Sequence, residues 1–427
     1  MIGAATMGDT VLVIGSGGRE HALAQRLAES KEVRTVVVVP GNAGVRAPLE
    51  RAEGSPVEIA RRVQPDLIVI GPEAPLCEGL TDDLSAAGHL VYGPNRAAAR
   101  LEGSKAFMKD FAQRHGIRTA RFVAVTNEGE VDQALAQFAE PPVIKASGLC
   151  AGKGVVVSSS FEVARRAALE MLTGRQFGEA GRIVVIEERV VGREVSVHAI
   201  CDGRRAFVLP PIEDHKRIGE GDSGPNTGGM GTYGPTPSVD AGLGARIQRE
   251  MVDVVVERMA DEGAPFVGTL FAGLMITPDG EPVLLEINTR FGDPETQVLV
   301  NLVDGDWYAL LKSAAKGALN EGAVSIADRH ALCVVMAASG YPVSPRTGDT
   351  ITGLADAEAV PGVRVYHAGT RQVGDQTFTA GGRVLGVTAV GAHLREACDR
   401  AYDACAKIHF DGAQLRRDIG HRALSIE

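Results

Sequence analysis

Short runs of apolar residues alternate with segments of helical spacing through the first hundred residues. Four runs, each followed by a loop rich in Gly, Pro or Asn, are predicted as strands: residues 11–14, 35–39, 66–70 and 90–92. Their nearly continuous apolar character is typical of parallel strands that are buried on both faces. A helix from about Glu20 to Ser30 follows the first run. The pattern predicts a doubly wound α/β domain with ligands at the carboxyl ends of its strands.

The pattern changes after residue 104, where a helix is predicted at 104–115. Two strands surround a glycine-rich loop at 142–158, and Ser160 is placed to cap a helix at 161–172. With further strands at 183–188 and 194–200, residues 121–193 are predicted as a small α+β unit. The rest comprises an amphipathic helix near 242–262, a hairpin at 267–276 and 282–287 around a Pro-Asp-Gly turn, and a β-rich segment from 330 onward.

Composition narrows the possible functions. A chain of 427 residues is too long to fold around one compact core, and its length favours about three domains. The chain has 44% apolar and 23% charged residues, no apolar run long enough to span a bilayer, and no basic N-terminus leading into an apolar segment. It therefore predicts a cytoplasmic globular protein without a membrane partner. A net charge of −10 argues against a nucleic-acid surface, and six scattered cysteines without a Cys-x-x-Cys pair predict reduced thiols.

The first candidate for a ligand-binding site is the turn Gly-Ser-Gly-Gly-Arg-Glu at 15–20. Its glycines allow a ligand to approach the N-terminus of a helix, where backbone N–H groups attract phosphate. Glu20 stands where a dinucleotide fingerprint has its third glycine, and the second strand ends without the acidic residue that binds ribose. The turn therefore argues against NAD. Arg19 favours a phosphorylated substrate, and a purely structural tight turn remains the alternative.

A second glycine-rich loop, residues 145–154, contains three glycines together with Lys145 and Lys153. Such a loop binds nucleotide phosphates through backbone N–H groups while the lysines neutralise charge, although its spacing is not that of a P-loop. The alternative is a solvated hairpin loop. Downstream, Glu187, Glu188 and Glu194 end or follow an apolar strand, where they either contact adenine and ribose or form a solvated rim.

The strongest pattern lies at 283–295, where Glu286, Asn288 and Arg290 alternate with Leu285 and Ile287. Strand periodicity places the three polar side chains on one face and the two apolar side chains on the other. A carboxylate and an amide oxygen two residues apart suit a magnesium ion held between protein and phosphates. Arg290 is then directed at the oxygens of a transferring phosphoryl group. A structural salt-bridge cluster is the alternative.

Taken in order, many stretches of the chain resemble the ATP-grasp ligases and, among them, the phosphoribosylamine–glycine ligase family. The matching segments extend over nearly the whole chain: 17–23, 40–42, 71–73, 101–105, 214–217, 224–231, 290–296, 367–370, 381–385 and 416–420. The resemblance implies an N-terminal domain at 1–104, an ATP-grasp core at 105–120 and 194–329, a mobile lid at 121–193 and a C-terminal domain at 330–427.

The resemblance also implies roles for individual residues. Catalytic roles are implied for Lys145, Arg290 and Asp293, and the Mg²⁺ or Mn²⁺ ligands are Glu286 and Asn288. ATP, the co-substrate, is expected at Lys105, Lys145, Gly152, Lys153, Glu187, Glu188, Val190 and Glu194. The other substrates are expected at Gly17, Gly18, Arg19, Glu20, Asn42, Glu73, Asp214, Lys216, Asn226, Thr227 and Arg290. This sequence departs from the usual family pattern at Ser147, Cys150, Glu213 and Thr289.

The activity implied is the ATP-dependent ligation of glycine to 5-phosphoribosylamine by a monomer in purine biosynthesis. Phosphorylation converts the glycine carboxylate into glycyl phosphate, which the amine attacks with loss of phosphate. One rival hypothesis is another ATP-grasp carboxylate–amine ligase or carboxylase. A second rival is a non-catalytic nucleotide sensor, against which the retention of Glu286, Asn288 and Arg290 argues.

Overall fold

The computed structural model describes residues 8–150, 154–174 and 177–425. It begins with a parallel five-stranded sheet of order β3-β2-β1-β4-β5. The strands are β1 (Asp9–Gly15), β2 (Val33–Pro40), β3 (Leu49–Arg51), β4 (Leu67–Ile70) and β5 (Val91–Tyr92). The helices are α1 (Gly18–Ala28), α2 (Pro56–Val63), α3 (Glu73–Glu78), α4 (Leu80–Ala86) and α5 (Arg96–Gly103). The apolar runs of β1 and β4 are buried, which confirms the doubly wound α/β prediction.

The next segment forms an antiparallel four-stranded sheet of order β6-β9-β7-β8. Its elements are α6 (Lys105–Arg114), β6 (Phe122–Val125), α7 (Val131–Leu135), β7 (Val143–Ala146), β8 (Val155–Val157), α8 (Phe161–Leu172) and β9 (Val184–Glu187). The Ser160 hydroxyl accepts the backbone N–H of Val163 at 3.2 Å, so it caps α8 as the sequence predicts.

A second antiparallel sheet, of order β11-β10-β16-β17, supports the central part of the molecule. The strands here are β10 (Arg193–Asp202), β11 (Ala206–Val208), β12 (Glu213–Asp214), β13 (Arg217–Gly219), β14 (Ser223–Asn226), β15 (Gly231–Gly234), β16 (Val267–Ile276), β17 (Pro282–Asn288), β18 (Val303–Gly305) and β19 (Val324–Ile326). The helices are α9 (Ala241–Ile247), α10 (Asp253–Asp261), α11 (Glu295–Leu302) and α12 (Trp307–Ala315). A π-helical turn, Gln248–Val252, joins α9 to α10, so one long helical segment lies where the amphipathic pattern predicts it.

The last sheet has the order β12-β15-β20-β25-β22, and it therefore combines strands from both sides of residue 330. The remaining elements are β20 (His330–Ala337), β21 (Thr350–Ile351), α13 (Leu354–Glu358), β22 (Val363–His367), β23 (Thr370–Val373), β24 (Gln376–Thr379), β25 (Arg383–Gly391), α14 (Leu394–Lys407) and α15 (His421–Leu424). The segment is rich in strands, but α14 is a long helix that the sequence pattern did not predict.

Within the described residues, no helix is long and apolar enough to cross a membrane. All six cysteines have free thiols. The carboxyl ends of the parallel strands, the β7–β8 hairpin and strand β17 converge on one cleft, and this convergence positions the candidate site.

Candidate active site

A cavity of about 770 Å³ lies where these three sheets meet. Most of the residues that the sequence analysis singles out line it: Arg19, Glu73, Lys105, Lys145, Glu187, Glu188, Val190, Glu194, Asp214, Lys216, Asn226, Thr227, Glu286, Asn288, Arg290 and Asp293. Gly17, Gly18, Glu20 and Asn42 are not among its lining residues. Gly152 and Lys153 lie outside the described residues. The structure thus gathers residues that are up to 274 positions apart in the chain into one site.

Strand β17 supplies the polar centre of the cavity through a β-bulge. The pairing of β16 with β17 shifts register between Gly273 and Leu274, opposite Glu286 and Leu284. Leu285 is the extra residue, and it lines the cavity together with Glu286 instead of facing away. The expected strict alternation is therefore wrong at Leu285, because a bulge puts two consecutive residues on one side. Asn288 lies at the end of the strand, and its Oδ1 accepts a hydrogen bond from Nη2 of Arg290 at 3.3 Å.

Glu286 lies among positive charges. Burial by itself raises the pKa of a carboxyl group, but Lys216, Lys105, Lys145 and Arg290 together outweigh burial and lower the pKa of Glu286 to about 2. The carboxylate is therefore ionised at neutral pH, as a ligand of a divalent cation must be. Among the described residues no three His, Cys, Asp or Glu side chains are grouped to hold a metal ion. The donors present, a carboxylate and an amide oxygen, fit a hard ion that takes its other ligands from phosphate and water.

Lys145 and Glu187 form a buried ion pair beside this centre. The other oxygen of Glu187 lies 2.7 Å from Nζ of Lys109, whose side chain is wholly buried and also donates to the Thr119 hydroxyl at 2.7 Å. The Glu187 carboxylate is thus used to hold two lysines. Its neighbour Glu188 is exposed and lines the cavity.

Glu194 and Lys216 form a further ion pair on the cavity wall. Burial lowers the pKa of a lysine, but Glu194, Glu286 and Asp214 reverse that effect and raise the pKa of Lys216. The pair links strand β10, which carries the expected ribose ligand, to the segment that carries expected substrate contacts. The two groups of residues that the sequence analysis assigns to different ligands therefore touch each other.

Arg290 joins the central sheet to the N-terminal domain. Its guanidinium lies 3.2 Å from the carboxylate of Glu73 and 3.0 Å from that of Glu102. Burial alone would lower the pKa of Arg290, but the carboxylates of Glu102 and Glu73 outweigh burial and raise the pKa above its usual value. The guanidinium is therefore permanently charged. Glu102 also accepts the backbone N–H of Thr289 at 2.7 Å. Arg290 is held rigidly with its charge facing the cavity, which suits stabilisation of anionic oxygens.

The turn after β1 is occupied by a side chain of its own helix. Oε2 of Glu20 accepts the Gly17 N–H at 2.6 Å, and Oε1 forms an ion pair with Arg19. A Cβ atom at Gly17 would lie 2.8 Å from Oε2 of Glu20, and one at Gly71 would overlap Oε1. Gly17 of this turn and Gly71 of the loop after β4 therefore make room for the Glu20 carboxylate, which lies where a phosphate is predicted from the sequence.

Asn42 acts as a connector between domains. Its amide nitrogen donates to the backbone oxygen of Ser16 at 2.9 Å and to that of His367 at 2.7 Å. His367 belongs to β22, so this buried side chain fastens the loop after β2 to the C-terminal sheet. Two of the departures from the family pattern also make structural contacts, since the Ser147 hydroxyl accepts the N–H of Ala106 at 3.1 Å and Glu213 accepts the Thr236 hydroxyl at 2.6 Å.

The charged residues that line the cavity without a predicted role include Glu102, Glu295 and Arg383. Burial, followed by repulsion from Glu295, raises the pKa of Asp214 well above its usual range, and burial also raises the pKa of Glu295. Oδ1 of Asp214 is buried and has no hydrogen-bond partner among the described residues. Glu102, Glu295 and Arg383 lie within segments that carry the family resemblance, and this position is the signal in the sequence by which they could have been identified as site residues.

Models of one protein family match the chain in consecutive order. The N domain of phosphoribosylglycinamide synthetase matches residues 9–102, its ATP-grasp (A) domain matches 103–296, and its C domain matches 331–422. The chain belongs to the phosphoribosylglycinamide synthetase family. This membership confirms the resemblance inferred from the sequence, including the ATP-grasp fold with its N-terminal and C-terminal domains.

Relatives in this family match the chain over its length. A phosphoribosylamine–glycine ligase of Xylella fastidiosa (strain 9a5c) is 46% identical over 428 residues, which cover 98% of this chain and 97% of the relative. The protein of the same name from Escherichia coli O157:H7 is 46% identical over 429 residues, covering 98% and 99%. The expectation of an ATP-dependent ligase is confirmed by these relatives.

Solved structures agree with membership of this family. The crystal structure of phosphoribosylamine–glycine ligase from Thermotoga maritima superposes with a TM-score of 0.85 at 35% identity, covering 96% of this chain and all of that one (100%). The biotin carboxylase domain of a Hydrogenobacter thermophilus 2-oxoglutarate carboxylase superposes with a TM-score of 0.73 at 16% identity, covering 96% and 92%. The second similarity shows a shared fold alone.

Proposed function

We propose that the protein joins glycine to 5-phosphoribosylamine, with conversion of ATP to ADP and phosphate, through a glycyl phosphate intermediate. The observation that carries this proposal is the placement of ionised Glu286 among Lys105, Lys145, Lys216 and Arg290 at the centre of the cavity. Such a concentration of fixed positive charge around one carboxylate suits transfer of a phosphoryl group between two anionic oxygens.

ATP is placed between the β7–β8 hairpin and the central sheet. Lys105 and Lys145 face this part of the cavity and are assigned to the phosphates, while Glu188 and Val190 flank the adenine. Glu187 acts here by holding Lys145. Closure of the hairpin over the nucleotide would exclude water, which protects an acyl phosphate from hydrolysis.

Glu286 and Asn288 are assigned as ligands of Mg²⁺ or Mn²⁺. When bound, the ion neutralises phosphate charge and polarises the transferring group. Arg290 is assigned to the oxygens of the acyl phosphate, because Glu73 and Glu102 fix the orientation of its guanidinium beside Asn288. Asp293 stays ionised, since Arg383 and Arg19 outweigh burial and lower its pKa.

Glycine is placed beside Asp214. Glycine carries an ammonium group, and the buried Oδ1 of Asp214, which lacks a partner among the described residues, offers an acceptor for it. Glu295 adds a second carboxyl group to the same region. A bound ammonium group would compensate the burial of both acids, so binding of a free amino acid is favoured over binding of a simple carboxylate.

The phosphate of phosphoribosylamine is placed near Arg19 and Arg383 rather than inside the glycine-rich turn. Both guanidinium groups line the cavity, whereas the Gly17 N–H is already bonded to Glu20. Arg383 also donates to the backbone oxygens of Asp293 and Gly228, which fixes its orientation. Glu73, which also lines the cavity, is assigned as an acceptor for ribose hydroxyl groups.

We also propose four domains, with an N-terminal domain at 1–104, an ATP-grasp core at 105–120 and 194–329, a lid at 121–193 and a C-terminal domain at 330–427. We further propose that the protein is a monomer and is located in the cytoplasm. The free thiols support the location, since reduced cysteines are usual in the cytoplasm.

The test of the proposed function is the release of ADP from ATP with glycine and phosphoribosylamine supplied separately and together. ADP release that requires both, accompanied by formation of phosphoribosylglycinamide, is the expected result. ADP release with bicarbonate or another carboxylate in place of glycine would contradict the proposal in favour of a different ATP-grasp enzyme. Absence of any ATP turnover would favour the nucleotide sensor.

A further inference from the structure

Strands β13 and β14 form an antiparallel ribbon that projects from the cavity wall, with Arg217 paired to Asn226. At its base, the Thr227 N–H donates to the backbone oxygen of Lys216 at 2.7 Å, and the Thr227 hydroxyl donates to the same oxygen at 2.9 Å. Lys216 and Thr227 both line the cavity. Every residue of β14 is exposed, and the apolar packing of the ribbon comes from Ile218 of β13, which contacts the cluster of Met230, Val335 and Ala337.

Two arginines from near the end of the chain bind the ribbon: the buried Arg416 and, at Asp222 alone, the less buried Arg422. The Arg416 side chain is 0% exposed. Its Nη1 donates to the backbone oxygen of Arg217 at 3.1 Å and to Oδ1 of Asp222 at 2.9 Å. Its Nε and Nη2 donate to the two oxygens of Asp418 at 2.8 and 2.7 Å. One guanidinium therefore connects the ribbon to the C-terminal segment by charge-assisted bonds.

Neighbouring backbone groups extend this connection. Oδ2 of Asp418 accepts the Gly221 N–H at 2.9 Å, and the Arg417 N–H donates to Oε1 of Glu220 at 3.1 Å. Nε2 of His215 accepts the Gly420 N–H at 3.4 Å while its Nδ1 donates to the backbone oxygen of Gly231 at 3.2 Å. The C-terminal segment thus contacts the chain on both sides of Lys216.

We propose that Arg416 is a positioning residue for the substrate side of the cavity. It does not line the cavity and acts through the carbonyl of Arg217, which directly follows Lys216. By fixing the ribbon, Arg416 sets the position of Lys216 and of the preceding Asp214. This inference rests on the proposed function, since it assigns that segment to glycine.

Two variants separate positioning from folding. Arg416→Met removes the guanidinium bonds to Arg217, Asp222 and Asp418 and keeps an unbranched side chain of similar length in the buried site. The backbone contacts of Gly221 and Arg417 remain in this variant. Asp222→Asn weakens the contacts of the ribbon turn with Arg416 and with Arg422, while the Arg416–Asp418 pair remains intact. Arg417→Met is the matched control, since the Arg417 side chain is exposed and adjacent in sequence.

The first readout is trypsin cleavage after Lys216 or Arg217, followed by mass spectrometry on the full-length protein. We expect cleavage to become about tenfold faster in Arg416→Met, less so in Asp222→Asn, and to stay unchanged in Arg417→Met. Cleavage at the wild-type rate in Arg416→Met would overturn the proposal. This readout needs no catalytic activity, so it stands even if the wild-type protein shows no glycine-dependent ADP release and the proposed function fails.

The second readout is steady-state kinetics. We expect the KM for glycine to rise about tenfold in Arg416→Met while the KM for ATP changes less than about twofold. Arg416→Lys, which keeps a charge at the site, is expected to recover part of the loss. Equal changes in both KM values, together with a lower melting temperature, would assign Arg416 a purely structural role and overturn the inference.

Discussion

The two glycine-rich turns of this molecule look alike in sequence and differ in what they surround. The turn after β1 encloses the carboxylate of Glu20, for which Gly17 and Gly71 provide space. At the described ends of the loop after β7, Leu149, Cys150 and Gly154 border the open cavity, and Lys105 and Lys145 line the same cavity, which is large enough for a nucleotide. Glycine content alone therefore does not identify a phosphate site. A glycine-rich turn can bind phosphate only where its backbone N–H groups are not already bonded to another group of the protein, as the Gly17 N–H is to Glu20.

The comparison implies that changes near the second loop reduce catalysis, whereas changes at the first turn reduce stability. The largest effect is expected for Glu286→Gln. Loss of the ionised ligand among four cations should lower kcat by about 100- to 1,000-fold, the cost usual for one preorganised electrostatic group. The circular dichroism spectrum should be unchanged. Activity near the wild-type level with an intact dependence on magnesium would show that Glu286 does not hold the metal.

The second prediction concerns Gly71→Ala. A methyl group at this position overlaps the Glu20 carboxylate, so the free energy of unfolding should fall by about 1–3 kcal/mol, as in other overpacked sites. Gly244→Ala is the control, because its new Cβ would lie 3.8 Å from Val239 and meet ordinary packing. Urea unfolding measures both. If Gly71→Ala is as stable as its control, then Glu20 does not fill the first turn tightly.

The third prediction uses Arg19, the residue of the first turn that does line the cavity. Arg19→Ala should raise the KM for phosphoribosylamine about tenfold, since one charge-assisted contact to phosphate is lost. The affinity for ATP should be unchanged. A parallel fall in ATP affinity, measured by titration calorimetry, would place nucleotide rather than sugar phosphate at this end of the cavity.

The last prediction concerns a dependence of stability on pH beside the first turn. Burial lowers the pKa of His21 from 6.5 to about 4, so the unfolded chain takes up a proton between these values and the folded chain does not. The contribution of His21 therefore falls by about 1.4 kcal/mol per unit as the pH drops below 6.5. His21→Asn should show a shallower decline in urea experiments between neutral and acidic pH. An unchanged slope would show that His21 titrates normally.

The sequence predicts most of the framework because burial on both faces leaves few alternatives for an apolar run such as that of β4. Helix α14 was not predicted because its buried face is only weakly apolar. Its buried face is made mainly of small residues, including Ala397, Ala401 and Ala404, which give a weak contrast with the exposed face.

The site was predicted less completely, since packing between distant segments decides it. The pattern at 283–295 identified Glu286, Asn288 and Arg290, but the bulge at Leu285 depends on the register with β16. Glu20 could not be recognised as the occupant of the first turn because Gly71, which makes the space, lies on another strand's loop. Local sequence indicates which donors exist, and only the fold shows which of them are already used.

The central claim is that ATP activates the carboxylate of glycine. The most direct measurement supplies glycine with isotopically labelled carboxylate oxygens and follows the label by mass spectrometry. The account predicts that one labelled oxygen appears in the phosphate released and one remains in the amide product. Unlabelled phosphate from a reaction that still consumes glycine would contradict activation by phosphoryl transfer and, with it, the role assigned to the charged centre around Glu286.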